Sequence, residues 1–284
     1  MEFVISAFSD EASASLSGQI EALKRNRLAG MEIRAIDGEN ISAISRQKAG
    51  QIRAALDEQG LSVWSVGSPI GKISVLDPFE PHVELFRRTL ENGALLGAEN
   101  IRIFSFYIPK EGALTAFRNE VLDRLARLLE LASPYGFTLC HENEKGIYGQ
   151  SAECCLEIAQ ALPDIRLVYD PANFIQAGQD ALAAWRLVKG HVKYLHIKDA
   201  RPDGKVVPAG AGAGHIAEIL SEYSALGGRH VTLEPHLTVF EGFAALEREA
   251  DAASKLGAYE YASAHAAFDA AVQALRQTIQ AIDH

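Results

Sequence analysis

The chain has 284 residues, 48% of them hydrophobic and 23% charged, a balance that excludes disordered and fibrous classes. A net charge of -10 argues against a nucleic-acid partner, because such proteins present a basic face to phosphates. No apolar run approaches the roughly 20 residues that cross a bilayer, so no membrane partner is expected.

In chain order, apolar runs of strand length alternate with runs at helical spacing. Residues 1–8 read as a strand without the basic leader of a signal peptide, and Ser9-Asp10-Glu11 makes the turn after it. A helix is predicted over 16–28, with Ile20, Leu23 and Arg27 at helical spacing and Gly30 as its stop. Strand two follows at 31–36, then a helix over 45–59 closed by Gly60. Strand three, at 61–66, leads through the loop Gly67 to Lys72 into a helix over 81–96 that ends at Gly97. Strand four is placed at 100–106, the next helix at 116–135 with Gly136 as its stop, and strand five at 137–141. Helices over 151–161, 180–188 and 216–226 then alternate with strands at 165–169, 192–197 and 231–233. From Ala244 to His284 the chain is alanine-rich, with a break near Gly257 and Leu246, Leu256, Phe268, Val272, Leu275 and Ile279 at helical spacing. Covering the barrel is the default role of such a tail, and packing on a second subunit as a homo-oligomer is the alternative.

Eight strands, each followed by a helix, with no linker between, predict an α/β fold: a single-domain (β/α)8 TIM barrel over 1–284 with a helical C-terminal extension. A doubly wound open sheet would also alternate, but would not place polar groups at so many strand ends. Cys140, Cys154 and Cys155 have no metal-knuckle spacing and form no disulfide framework, so reduced thiols in a cytoplasmic protein are expected.

Four strand ends carry the chemistry. Leu139-Cys140-His141-Glu142, Val168-Tyr169-Asp170, Tyr194-Leu195-His196-Ile197-Lys198 and Val231-Thr232-Leu233-Glu234-Pro235-His236 are apolar runs that finish in carboxylates and imidazoles. In a parallel barrel such ends meet at the C-terminal rim. Glu142, Asp170, His196 and Glu234 would then offer three oxygen donors and one nitrogen donor to a single divalent metal. Taken one at a time, each has a plain structural reading: a solvated charge run, an Asp-Pro turn, a core histidine, a rim salt bridge. Four such features on consecutive strand ends call for one shared cause, and a divalent ion is what makes clustered carboxylates tolerable.

Side chains two apart share a strand face, which groups Lys198 with His196, His236 with Glu234, and Arg34 with Glu32 and Ile36. Arg34, Lys72, His141, Asn173, Lys198 and His236 are the candidates for holding substrate oxygens, with ordinary loop roles as the alternative for Lys72 and His141. Phe8, Trp64, Phe104 and Phe106 are candidate walls, or core. The Gly210-Ala211-Gly212-Ala213-Gly214 run before a helix is either an anion cradle or a tight rim loop.

On Glu142, Asp170, His196 and Glu234, the chain resembles the xylose-isomerase-like barrel superfamily of sugar phosphate isomerases and epimerases, including keto-sugar 3-epimerases. The resemblance spans the whole chain in strand order, with its specific motifs in the second half. It implies that these four residues hold one Mn²⁺, Mg²⁺ or Co²⁺ and that Glu142 and Glu234 are the proton-transfer pair. Two positions depart from the pattern: Asn173 stands where a substrate-touching histidine is common, and Ala209 to Gly214 lacks an acidic residue. Both bear on the substrate more than on fold or metal.

The leading mechanism is proton abstraction next to a carbonyl, with one carboxylate removing the proton and the other returning it. The expected cofactor is one divalent ion, Mn²⁺ first, with Mg²⁺, Co²⁺ or Zn²⁺ as alternatives, and the expected ligand is a small carbohydrate. A metal-dependent lyase or dehydratase is the alternative, since the same enolate can expel a β-leaving group. A three-zinc nuclease needs more rim histidines than this acidic chain supplies. A sugar-binding barrel without chemistry would have no need for all four ligands.

Overall fold

Eight short parallel strands close on one another, so the barrel itself has no open edge. The structure, a computed structural model, describes residues 2–109, 114–240, 256 and 259–282. The barrel strands are β1 (Val4–Ala7), β2 (Gly30–Ile33), β3 (Ser62–Gly67) and β4 (Asn100–Ile103). They continue as β5 (Thr138–Glu142), β6 (Arg166–Tyr169), β7 (Val192–Ile197) and β8 (His230–Leu233). Each pairs with its neighbours in sequence, and β8 returns to β1 with Val4 opposite His230 and Ala7 opposite Leu233.

The surrounding helices are α1 (Leu16–Arg25), α2 (Arg46–Glu58), α3 (Glu80–Leu96), α4 (Leu114–Ala132) and α5 (Ala152–Ala161). After them come α6 (Pro171–Gln176), α7 (Ala181–Val188), α8 (Ile216–Ala225) and α9 (Ala264–Ile282). Helices α1, α2, α5 and α7 start on Ser15, Ser45, Ser151 and Asp180, whose side chains accept a first-turn N–H. Outward strand residues such as Met31, Ile101, Leu139 and Leu195 pack on helix residues such as Leu23, Phe86 and Trp185 in one continuous core. Among the described residues, no helix is long and apolar enough to cross a membrane.

The barrel interior is different. Branched aliphatics commonly fill such barrels, but here the apolar plug is a small cluster of Trp64, Cys140, Val168 and Tyr194. Two residues further along the strands the interior turns polar, with Glu142, Asp170 and His196 in the next layer. Trp64 stacks on His230 in that plug, with ring centroids 3.5 Å apart, and walls no site.

The order of barrel strands and major helices follows the sequence expectation, the short α6 is an addition, and strand two ends at Ile33 because Ala35–Ile36 pairs instead with Glu39–Asn40. Gly30 is the first residue of β2 and not a helix stop; a Cβ there would lie 2.2 Å from Ser62 O, so it is the close strand approach that requires glycine. Strand β4 ends at Ile103, because Phe104 N donates to Ile70 O and Phe106 turns with φ of 65°. Asp170, expected as a metal ligand with an Asp-Pro turn as the plain alternative, also caps the short helix α6, its Oδ1 accepting from Asn173 N at 2.9 Å. Residues 241–255 and Gly257 lie outside the described residues, and with them the expected start and break of the tail helix. Helix α9 covers the barrel: Phe268, Val272 and Leu275 are buried, and Asp269 pairs with Arg25 of α1 at 2.9 Å.

The glycine-alanine run is neither a bare loop nor a free anion site. Its backbone N–H groups at Gly210 and Gly212 donate to Asp199 Oδ2 at 2.9 and 3.0 Å, and Gly214 N donates to Oδ1 at 2.9 Å. Ala200 N completes the set at 2.8 Å. The donors that a phosphate would need are therefore already committed to a carboxylate of the same chain. A Cβ at residue 212 would lie 2.3 Å from Asp199 Oδ1 and 2.4 Å from Ala200 O. Gly212→Ala should lower the unfolding free energy in urea by about 1–3 kcal/mol, whereas Gly190→Ala, with nothing near its Cβ, should stay within about 0.5 kcal/mol of wild type. Equal stabilities for the two variants would contradict this account of the cradle.

Candidate metal centre and active site

β5 to β8 deliver the four expected ligands to one buried point. Inward side chains end those strands, and Glu142, Asp170, His196 and Glu234 have potential donor atoms that all lie within 4.8 Å of one another. His196 Nδ1 is 3.0 Å from Glu142 Oε1 and 3.5 Å from Glu234 Oε2. Its other nitrogen, Nε2, is 3.0 Å from Glu32 Oε2, and Glu32 Oε1 in turn accepts from Tyr194 OH at 2.9 Å. A carboxylate behind the ring fixes its orientation, as is common for metal-binding histidines.

Asp170 does two jobs with two oxygens. Oδ1 caps α6, and Oδ2 is fully buried, 2.9 Å from Lys198 Nζ, with no hydrogen bond of good geometry. Lys198 Nζ also lies 3.1 Å from Glu234 Oε2. Arg102 Nη1 donates to Glu142 Oε2 at 2.6 Å, and Asn173 Nδ2 to Glu142 Oε1 at 3.3 Å.

A second layer stands over β1 and β2. The Arg34 guanidinium forks onto Asp10 at 2.8 and 3.0 Å, reaches Glu11 and Glu234 at 3.3 Å, and lies over the Phe8 ring at 4.3 Å. His236 Nδ1 lies 3.2 Å from Glu11 Oε1, and its backbone N donates to Glu11 Oε2 at 2.7 Å. Lys72 faces Glu144 at 3.4 Å and the Phe104 ring at 4.5 Å. Arg34, Lys72, Arg102, Glu142, Glu144, Lys198, Glu234 and His236 enclose a cavity of about 20 Å³, room for one water-sized group. A sugar enters only if these ion pairs spread apart.

The charges decide what the site can hold. Asp10, Glu11, Glu32, Glu142, Glu144, Asp170 and Glu234 face four permanent cations, Arg34, Lys72, Arg102 and Lys198. Burial opposes a charge on His196, but Glu142 and Glu32 outweigh it and lift the ring well above the ordinary imidazole range. Burial raises Asp170 to about 7 in spite of Lys198. Burial also works against an ionised Glu142, yet His196 and Arg102 bring it down to about 2. An excess of buried carboxylates, one of them with an oxygen short of partners, fits a hard divalent cation. Oxygen ligands at about 2.1 Å, as for Mg²⁺, put opposite donors about 4.2 Å apart, close to the span found here.

The remaining expected residues divide. Arg34, Lys72, Asn173, Lys198 and His236 all join the site. His141 does not: it lies on the opposite face of β5 from Glu142, with Nε2 2.9 Å from Ser105 Oγ beneath the backbone of Gly149. Phe8 and Phe104 line the site, while Phe106 packs outward on Phe79. Sequence reading passed over Asp10, Glu11, Glu32 and Arg102. Glu32 and Arg102 were visible as single charges inside the apolar strands Gly30–Ile33 and Asn100–Ile103, where a lone charge needs a buried partner.

The sequence matches the family model described as xylose isomerase-like TIM barrel over residues 20–243. The chain belongs to that family. Among solved structures, an L-ribulose 3-epimerase superposes with a TM-score of 0.74 at 17% identity, covering 100% of this chain and 96% of that one. A 3-keto-D-glucoside 4-epimerase from E. coli gives 0.70 at 16%, covering 97% and 100%. A probable 3-DHS dehydratase from Bacillus anthracis gives 0.72 at 15%, covering 97% and 99%. No curated protein matches the sequence itself. At these identities the structural likeness establishes the shared barrel.

The loop that carries Lys72 hangs on a neutral histidine. Gly71 N donates to His82 Nε2 at 2.7 Å, and burial holds that imidazole down at about 4, helped by Arg124. The folded value lies below the unfolded one near 6.5, so this stability is complete above about pH 6.5 and lost as pH falls toward 4. Between about pH 7 and pH 5, wild type should lose about 1–2 kcal/mol more in urea unfolding than His82→Gln, which keeps an acceptor but does not titrate. Parallel pH profiles for the two proteins would remove His82 from this role.

Proposed function

We propose that this chain is a divalent-metal-dependent enzyme that moves a proton next to a carbonyl of a small sugar or sugar phosphate, as an isomerase or epimerase. The observation that carries the reading is the buried set Glu142, Asp170, His196 and Glu234, with donor atoms within 4.8 Å of one another at the C-terminal rim. Three carboxylates and an imidazole suit Mn²⁺ first, with Mg²⁺, Co²⁺ or Zn²⁺ as alternatives. When bound, such an ion supplies Lewis acidity that stabilises the negative oxygen of an enediolate.

The protein's own groups do the rest. Glu142 and Glu234 approach the same His196 nitrogen from different strands and face a common point, which supports the role of proton-transfer pair that the family resemblance implies for them. Arg102 fixes Glu142 through Oε2, which leaves Oε1 turned toward Asn173 and His196. Arg34 and Lys198 hold one oxygen each of Glu234, which keeps it the carboxylate that a base must be. Asn173, Lys198, His236, Lys72 and Arg34 meet the substrate's oxygens once it has parted the ion pairs. The epimerases among the similar structures, one of L-ribulose and one of a 3-keto-D-glucoside, support this class. The probable dehydratase supports a lyase as second reading, since an enolate can also expel a β-leaving group. Reduced, buried Cys140 and Cys155 suit a cytoplasmic enzyme.

Elemental analysis of purified protein should find one divalent ion per chain, lost in His196→Ala. Keto sugars turned over in deuterated water should gain deuterium beside the carbonyl, and Glu234→Gln should slow this exchange by about 100-fold or more. A dehydrated product would select the lyase. Wild-type protein purified free of any divalent metal that also fails to take up added Mn²⁺ would end the metal-dependent reading.

A further inference from the structure

We propose that the Lys198 ammonium and the divalent ion are alternative occupants of one carboxylate pair, so that metal loading turns Lys198 from an internal counter-ion into a substrate-facing cation. The inference rests on the metal reading above and goes one step further, to the order in which the site is assembled. Asp170 Oδ1 accepts the α6 cap bond, and buried Oδ2, with no hydrogen bond, is the Asp170 oxygen with most capacity for an ion. That oxygen is the one 2.9 Å from Lys198 Nζ, and Glu234 Oε2, a second candidate ligand atom, is 3.1 Å from the same nitrogen. A dication held by both oxygens and an ammonium on the same two would lie within about 4 Å of each other in a buried site, where like charges repel strongly.

Lys198 is the cation able to leave. The Arg34 fork is pinned on Asp10 and packed between the Phe8 and Phe240 rings, at 4.3 and 5.3 Å. Arg102 lies over Phe104 at 4.4 Å, with Nη1 on Glu142. Lys198 has a flexible four-carbon stem and, among the described residues, no aromatic ring over its head. Its way out leads along the cavity it already lines toward Glu144, where Lys72 waits 3.4 Å from the carboxylate. Two lysines then stand at the mouth of a metal-loaded site, ready for an oxygen-rich or anionic substrate. Metal binding precedes substrate binding in this scheme.

The test uses the full chain, stripped with a chelator and titrated with Mn²⁺ at one fixed pH. Lys198→Met should bind Mn²⁺ about tenfold tighter than wild type or better, since it removes the competing charge. Its melting temperature should fall below wild type without metal and reach or pass it with saturating Mn²⁺. In wild type, acetylation of Lys198 by acetic anhydride, followed by mass spectrometry, should speed up severalfold when Mn²⁺ is added; this readout needs no variant to fold. Equal or weaker Mn²⁺ affinity in Lys198→Met, or a Lys198 whose labelling is unchanged or slowed by the metal, would overturn the exchange while leaving the metal-dependent function standing. Failure of both proteins to bind Mn²⁺ would overturn the two together.

Discussion

Carboxylates cannot be drawn out of water at a barrel rim unless opposite charge meets them there, and the penalty of an unmatched buried ion is several kcal/mol. This chain buries Asp10, Glu11, Glu32, Glu142, Asp170 and Glu234 around one point and weaves Arg34, Arg102, Lys198 and His196 between them. Much else follows from that requirement. The barrel interior has only a small apolar plug, because the layer beyond it is reserved for ion pairs. Hydrophobic burial is moved to the space between strands and helices, where it forms one continuous shell.

The same requirement explains why single side chains carry several roles. Asp170 caps α6 with one oxygen and presents the other to the site, so the short helix and the candidate ligand define each other's position. Glu32 sits behind His196 and holds it in one orientation, anchored itself by the Tyr194 hydroxyl. Asp199, one residue beyond Lys198, is held by four backbone N–H groups of its own chain. That peg ties the glycine run to the end of β7, next to the functional side chains of that strand. The glycines at 212 and 214 let the backbone close on that carboxylate, since a Cβ at either would crowd Asp199 Oδ1.

A site so densely crossed by ion pairs has almost no room, which frames its chemistry. The cavity of about 20 Å³ accommodates a water-sized group and no sugar. On the proposed mechanism, function depends on exchanging partners: carboxylates that hold lysine or arginine in one state would hold an ion, a proton or nothing in another. Long flexible cations are suited to that exchange and planar, stacked ones are not.

The alternation of periods and the polar ends of four apolar runs determined the barrel and the candidate ligand set, because burial periodicity and the cost of a buried charge are local properties of a sequence. The glycines at 60 and 97 could be read for the same reason, since each acts within one turn of its own helix. Which charges pair was decided only by tertiary structure. Arg34 meets Asp10 from another strand end, Arg102 meets Glu142 across β4 and β5, and Glu32 meets His196 across the barrel. His141 and Glu142 show the limit most plainly. They are adjacent and both polar, yet the pleat sends one outward to Ser105 and the other inward to the site, and only closure of the barrel settles which side is which.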